Sequence, residues 1–315
     1  MQTYQSLIDN PLPPDQQREA RIAAIRAVED YTGRPLVVYA GKLDAPPEAP
    51  NSINLDDVLG FSDLIHGLVG PNLDVLIDSP GGSPEAAERV VRLLRERFSS
   101  IRFMVPLSAY SAATMIALSG NKILMDDRSS LGPIDPQVNG IPARSILDGF
   151  TEVRKILKKE GPQALPAYIP LISKYDLHIF EICKNYEKLS RELCVAWLNQ
   201  YMFEGKAKKK AQRIARHFAD YRKHKTHSRS IGIAEAQRLE LEILDMRQEP
   251  ELQARVWQLS LRIQQFWLST QFVKLIENSR GISWGKQFAT QTLSFPIFPF
   301  QGVPAVPQPA EPSTA

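Results

Sequence analysis

Ser111 lies among small residues in Ala109-Tyr110-Ser111-Ala112-Ala113-Thr114, after an extended apolar run and at the mouth of an apolar helix. At a helix N-terminus, unbonded N–H groups and the macrodipole favour negative charge, the setting an acyl-transfer nucleophile needs. Upstream, Asp78-Ser79-Pro80-Gly81-Gly82 is a turn whose bare glycine amides could cradle an oxyanion, a carboxylate or a phosphate. It is not a phosphate loop, because no Gly-Lys-Ser/Thr follows. Downstream, Leu131-Gly132-Pro133-Ile134-Asp135-Pro136-Gln137 sets a carboxylate in a tight turn. A nucleophile, an amide pair and an acid point to a serine hydrolase. Each also has a plainer reading: a helix cap, a chain reversal and an Asp-Pro turn. Ser108 competes with Ser111, and Asp126 and Asp127 compete with Asp135. Of the five histidines, His66 and His178 fall in amphipathic patterns and read as structural, while His227 opens the loop Thr226-His227-Ser228-Arg229-Ser230-Ile231.

These residues need strands and helices to hold them. Short apolar runs at 36–40, 73–77, 101–105 and 122–125 read as buried strands. Residues 54–68, 84–98 and 111–119 read as helices, with Ser83 as N-cap and Pro84 in the first turn of the second. This βαβαβ rhythm predicts a parallel sheet with right-handed crossovers, and the glycine turn and Ser111 fall at strand C-terminal ends, where active residues gather. From about residue 141 the pattern turns helical: 143–159, 175–201, 206–222, 234–244 and 252–278. The expected organisation is an N-terminal arm (1–30), a catalytic domain (31–245), a C-terminal helical extension (246–292) and a Pro-rich disordered tail (293–315).

Bulk composition narrows the class. The 315 residues can bury a sizeable core, and 43% hydrophobic with 23% charged residues is ordinary for a soluble globular protein. A net charge of +3 does not argue for nucleic acid, although basic residues cluster between Lys206 and Arg229. Cys183 and Cys194 match no common zinc spacing and read as buried free thiols of a reducing compartment. No secretory signal is visible, and no run reaches about 18 uninterrupted apolar residues. A cytoplasmic, soluble protein without a membrane span is expected.

Residues 73–137 resemble the Clp/crotonase-fold serine peptidases. Ser111-Ala112-Ala113, Asn121-Lys122-Ile123 and Ser130-Leu131-Gly132-Pro133-Ile134 are similar to signal peptide peptidase A, and the Asp78–Gly82 turn to the oxyanion turn of the Clp proteolytic subunit. The serine dehydrogenase proteinase family resembles the chain most, sharing Leu-Gly-Pro-Ile-Asp-Pro-Gln. That likeness continues through residues 226–236 and Lys274-Leu275-Ile276-Glu277-Asn278, so it covers most of 30–280.

The resemblance implies an α/β fold: a Clp/crotonase-like parallel sheet with ββα-type repeats and a largely helical C-terminal region. It also implies a Ser-Asp-His triad in that chain order. Ser111 would be the nucleophile, Asp135 the orienting acid and His227 the base, with His224 three residues away. Gly82 and Ala112 would supply oxyanion amides and Gly81 would shape the turn. A peptide or protein would be the substrate, with no metal or organic cofactor needed. Three alternatives stay open: a Ser-Lys dyad using Lys155, Lys158, Lys159 or Lys174; a crotonase-like acyl-CoA enzyme; and a non-catalytic scaffold whose 206–229 stretch binds acidic partners. A homo-oligomer is implied too; Trp257, Phe266 and Trp267 of the 252–278 helix point to an interface that uses this helix and part of the preceding helical region, the alternative being that they fill the monomer's own core.

Overall fold

The computed structural model describes residues 3–289. Helices Tyr4–Asp9 (α1) and Pro14–Thr32 (α2) precede strand Leu36–Gly41 (β1) and helix Asp57–Ile65 (α3). Asn72–Asp78 (β2) then runs through the glycine turn into Pro84–Arg97 (α4). Ser100–Met104 (β3) continues through a short second strand, Ser108–Ala109 (β4), into Ala112–Leu118 (α5). Lys122–Met125 (β5) is followed by Ser130–Leu131 (β6), and a small hairpin, Gln137–Val138 (β7) with Ile141–Pro142 (β8), comes next. A helical stretch follows: Ala143–Glu160 (α6), Leu165–Ile172 (α7), Ile179–Trp197 (α8), Lys208–Ala219 (α9), Tyr221–His224 (α10) and Ile233–Arg238 (α11). The described chain closes with Ile243–Asp245 (β9), Pro250–Ser269 (α12), Phe272–Asn278 (β10) and Ser283–Gln287 (β11).

Seven strands form the main sheet in the order β11-β10-β1-β2-β3-β5-β9. β1, β2, β3, β5 and β9 are mutually parallel, while β10 and β11 add antiparallel on one edge. Beyond the ends of the parallel strands, a second ladder forms from the segments that follow them. Ile53 pairs with Gly82, Ser79 with Ala109, β4 with β6, and Leu131 with Ile231. Each repeat is thus strand, short strand, helix. The short ladder carries the glycine turn and the segment before Ser111 side by side.

Both faces of the sheet are covered, which explains why its strands read as unbroken apolar runs. Val37 and Tyr39 of β1 point into the core shared with α3, α4 and α5, whereas Leu36, Val38 and Ala40 point to the core shared with α2 and α12. α4 begins as the sequence predicts: Ser83 Oγ accepts from the Ala86 N–H at 3.0 Å, and Pro84 stands in the first turn.

Three expectations change. Residues 1–30, expected as a loose arm that turns helical near residues 15–19, instead include a full helix over Pro14–Thr32 whose Ile25 and Val28 are fully buried. The helix expected over 252–278 stops at Ser269, and 272–278 is instead a strand beside β1. Lys274 and Glu277 of this strand are both fully buried and paired, Lys274 with Asp57 and Glu277 with Arg21. A strand buried on both faces has no alternation to betray it, and its apolar residues also fit a helical period. Finally, Phe266 and Trp267 pack in the chain's own core with Phe272, and Trp257 lies under the Arg128 guanidinium at 4.2 Å. Phe266 and Trp267 are thus buried in the monomer, while Trp257 is half-buried. The tail expected over 293–315 lies outside the described residues.

Candidate active site

Ser111 stands between β4 and α5 with φ 51° and ψ −121°. A non-glycine residue at positive φ stores strain on the order of 1–3 kcal/mol and persists only where its surroundings hold it. Those surroundings are visible. The Ser79 N–H donates to Ser108 O at 2.8 Å and the Tyr110 N–H to Ser79 O at 3.0 Å, clamping the strand before Ser111 onto the glycine turn. After it, the Ala113 N–H donates to Tyr110 O and the Met115 N–H to Ser111 O. All of α5 is buried, which accounts for its small residues. Ser111 does not cap this helix, and among the described residues its hydroxyl has no hydrogen-bond partner.

Gly81 and Gly82 have positive φ, and neither tolerates a side chain. A Cβ on Gly81 would meet Tyr110 O at 2.5 Å and the Ser111 Cβ at 2.6 Å; one on Gly82 would meet Ile53 O at 2.2 Å. The Gly81 N–H donates to Ser79 Oγ at 3.2 Å, so it is committed to the turn. Around Gly82, the Ile53 N–H donates to Gly81 O and the Ser83 N–H to Ile53 O. That pairing uses the flanking groups and leaves the Gly82 N–H unbonded among the described residues. The Ala112 N–H opens α5 and has no carbonyl one turn back to reach. These two amides remain available beside Ser111.

Asp135 is buried, and its two oxygens have different partners. Oδ1 lies 2.9 Å from His227 Nδ1, and Oδ2 accepts from Gln137 Nε2 at 2.9 Å. His227 is 92 residues away in sequence, and long-range pairing delivers it. The Ile231 N–H donates to Leu131 O, the Leu131 N–H donates back to Ile231 O, and Ser130 Oγ donates to Ser230 Oγ at 2.8 Å. Because Nδ1 is occupied, Nε2 is the ring nitrogen left for proton exchange. His224 is buried elsewhere, its Nε2 on the His217 carbonyl at 2.7 Å.

His227, Ser111, Ala112, Gly81 and Gly82 line one cleft of about 230 Å³, which Met115, Ile134, Pro136 and Tyr186 make partly apolar. No lysine is among its described lining residues. Lys155 pairs with Glu152 on the surface of α6. Asp126 is engaged by Arg128 and Gln253, and Asp127 by Arg247, away from this cleft. Among the described residues no His/Cys/Asp/Glu cluster could hold a metal ion.

Beneath the cleft lies a polar network that the sequence did not reveal. Lys274 Nζ donates to Ser52 O at 2.5 Å and to Asp57 Oδ1 at 2.8 Å. Asp57 Oδ2 accepts from the Tyr39 hydroxyl at 2.7 Å and from the Asn54 N–H at 3.0 Å. The segment 52–54, which pairs with Gly82, is therefore pinned from below. Burial pushes the Lys274 ammonium down, and Asp57 opposes the shift. Gln137 was also missed as a partner of Asp135; its place two residues beyond an Asp in an Asp-Pro turn was the available signal.

Asp78, at the end of β2, is buried with no cationic partner among the described residues. Burial pushes its carboxyl up to about 7, while the Ser108 N–H, donating at 3.1 Å, pulls it down. Its ordinary value is 3.8, so between those values the folded chain holds a proton that the unfolded chain has lost. Stability from this group is therefore full below its ordinary value and is lost as pH rises through about 7. Asp78→Asn keeps an acceptor for Ser108 and removes the charge. Its melting temperature relative to wild type should rise between roughly pH 4 and pH 8 in thermal denaturation. A constant offset across that range would contradict the assignment.

A family model described as ClpP-like SDH-type serine proteinase matches residues 70–259. Two proteins of Methanocaldococcus jannaschii match over shorter stretches. Uncharacterized protein MJ1495 is 28% identical over 113 residues, which is 36% of this chain and 39% of that protein. Uncharacterized protein MJ0137 is 41% identical over 75 residues, 24% of this chain and 26% of that protein. The matched stretches thus span less than half of either relative. Similar solved structures include a ClpP1 mutant from Listeria monocytogenes, at 13% identity and TM-score 0.37, covering 71% of this chain and 98% of that one. A mutant of the 1510-N membrane-bound stomatin-specific protease follows at 18% identity and TM-score 0.38, covering 65% and 79%. No described helix of the present chain is long and apolar enough to cross a membrane.

Proposed function

The chain belongs to the family of ClpP-like SDH-type serine proteinases, and we propose that it hydrolyses peptide bonds through Ser111, His227 and Asp135. The observation that carries this reading is the Asp135–His227 contact at 2.9 Å, made across 92 residues by a histidine that lines the same cleft as Ser111. His227 Nε2 takes the Ser111 proton as Oγ attacks the scissile carbonyl. The Gly82 and Ala112 amides receive the oxyanion, and Asp135 holds the imidazole in the tautomer whose Nε2 is unprotonated. Collapse of the tetrahedral intermediate expels the amine, which takes the proton from Nε2. Water then enters, gives a proton to His227 and cleaves the acyl-enzyme, and the proton returns to Ser111. Hydrogen bonds of this kind tighten once substrate is bound, so the free Ser111 hydroxyl suits the resting state.

The lining favours histidine over lysine as base. Met115 and Ile134 favour an apolar side chain at the scissile residue. A homo-oligomer and a cytoplasmic setting belong to the same proposal. Since Phe266 and Trp267 lie in the monomer core, the subunit interface would use another surface. Fluorophosphonate labelling with intact-mass analysis and peptide mapping tests the reading. One adduct, on Ser111, is expected. An adduct on Ser108, or none on folded protein, would refute it, and the latter would favour the acyl-CoA or scaffold alternative.

A further inference from the structure

Two further depressions neighbour the cleft around Ser111, and α8 contributes to the lining of all three. Tyr186 and Ser190 line the Ser111 cleft; Glu187 and Arg191 line the next, of about 360 Å³; Arg191, Val195 and Asn199 line the last, of about 950 Å³. Pro136 is common to the first two, and Arg191 and Arg216 to the last two. The opposite wall of the outer depression is α9, which presents Lys208, Gln212 and Arg216 at four-residue spacing. At 1.5 Å per residue, the run of α8 from Tyr186 to Val195 measures about 14 Å, the length of about four residues of extended polypeptide.

The charges along this groove are not equally satisfied. Arg144 is held by Glu187, and Arg222 by Asp148, each through two hydrogen bonds. Glu204 pairs with Lys206, and Asp220 accepts from the Lys223 N–H. Arg191, Arg216 and Lys208 are exposed and have no ion-pair partner among the described residues, whereas Glu192 is the unpaired carboxylate on the same lining. Two guanidiniums at the junction of the depressions offer ten N–H donors to carboxylates, and the amides of Asn199, Gln200 and Gln212 suit a peptide backbone.

We propose that this groove is the substrate channel and that it selects polypeptides with acidic side chains close to the cleaved bond. Arg191 is five residues along α8 from Tyr186, about 8 Å, so it reaches side chains about two or three residues from the apolar scissile residue. The inference rests on the peptidase reading for its direction but not for its test. Fluorescence anisotropy on the Ser111→Ala protein measures binding without turnover. The probes share an apolar central residue and carry Glu, Gln or Lys on both flanks.

Glu-flanked peptide should bind about tenfold tighter than Gln-flanked peptide, the scale of two partly exposed ion pairs, and the gap should close with added salt. The double variant Arg191→Glu/Arg216→Glu, with unchanged melting temperature, should reverse the order so that Lys flanks bind best. Equal binding of all three probes, or a preference that survives the double variant, overturns the proposal. If that variant does not fold, Arg191→Gln and Arg216→Gln singly should each lower the Glu preference, and no change in either overturns it equally. Wild-type fluorophosphonate labelling reports separately on the peptidase reading, so the two can fail independently.

Discussion

Ser111→Ala should lower kcat for a cleavable peptide by about 10⁶-fold, the scale of removing a triad nucleophile, with KM changed only a few-fold. Among the described residues the hydroxyl makes no hydrogen bond, so its loss leaves none of them without a partner. The backbone adds a second, independent check. Alanine is no better suited than serine to φ 51°, but glycine adopts it freely. Ser111→Gly should therefore be as inactive as Ser111→Ala yet more stable than wild type by about 1 kcal/mol, as strain is relieved and partly offset by chain entropy. Stopped assays and thermal denaturation on both variants decide the matter. A Ser111→Ala protein that keeps more than a small percentage of its turnover would remove Ser111 from the mechanism. A Ser111→Gly protein less stable than Ser111→Ala would remove the strain argument alone.

For Asp135→Asn the expected loss is about 10⁴-fold in kcat, again with little change in KM. Gln137 makes this prediction specific to the chain. Its Nε2 donates to one Asp135 oxygen, so the new amide would turn its own oxygen toward Gln137. The amide NH₂ would then face His227 Nδ1 and donate to it. That fixes the proton on Nε2, the nitrogen that must accept from Ser111. Adding Gln137→Leu frees the amide to flip and should return part of the lost rate. Full activity in Asp135→Asn, measured across the pH range, would sink the triad as drawn. An inactive double variant would sink only the account of how Gln137 orients the carboxylate.

Much of the architecture was legible because it rests on local chemistry. The runs at 73–77, 101–105 and 122–125 are short and apolar because both faces of a covered parallel sheet need apolar residues. Ser83 and Pro84 mark the start of α4 because a helix leaves its first N–H groups unbonded. The small residues after Ser111 mark a helix with no room around it. By contrast, 272–278 was misread because a strand buried on both faces shows no alternation, and Lys274 and Glu277 give no sign in sequence that each has a buried counter-ion.

Taken alone, then, the amino-acid order determined the sheet-and-helix rhythm, the bare glycine turn and which serine opens an apolar helix, since each is a property of neighbouring residues. Only the tertiary structure decided the rest. It set Ser111 at φ 51°, because strain of that kind is imposed by the clamp from Ser79 and not by the tripeptide. It committed the Gly81 N–H to Ser79 and left that of Gly82 unbonded among the described residues, because the pairing with Ile53 uses the groups on either side. It brought His227 and not His224, three residues apart, to Asp135, because the strand pairing of Leu131 with Ile231 delivers the first while the second is held on the His217 carbonyl. Contacts between residues tens of positions apart depend on how the layers pack, and no local preference in the chain encodes them.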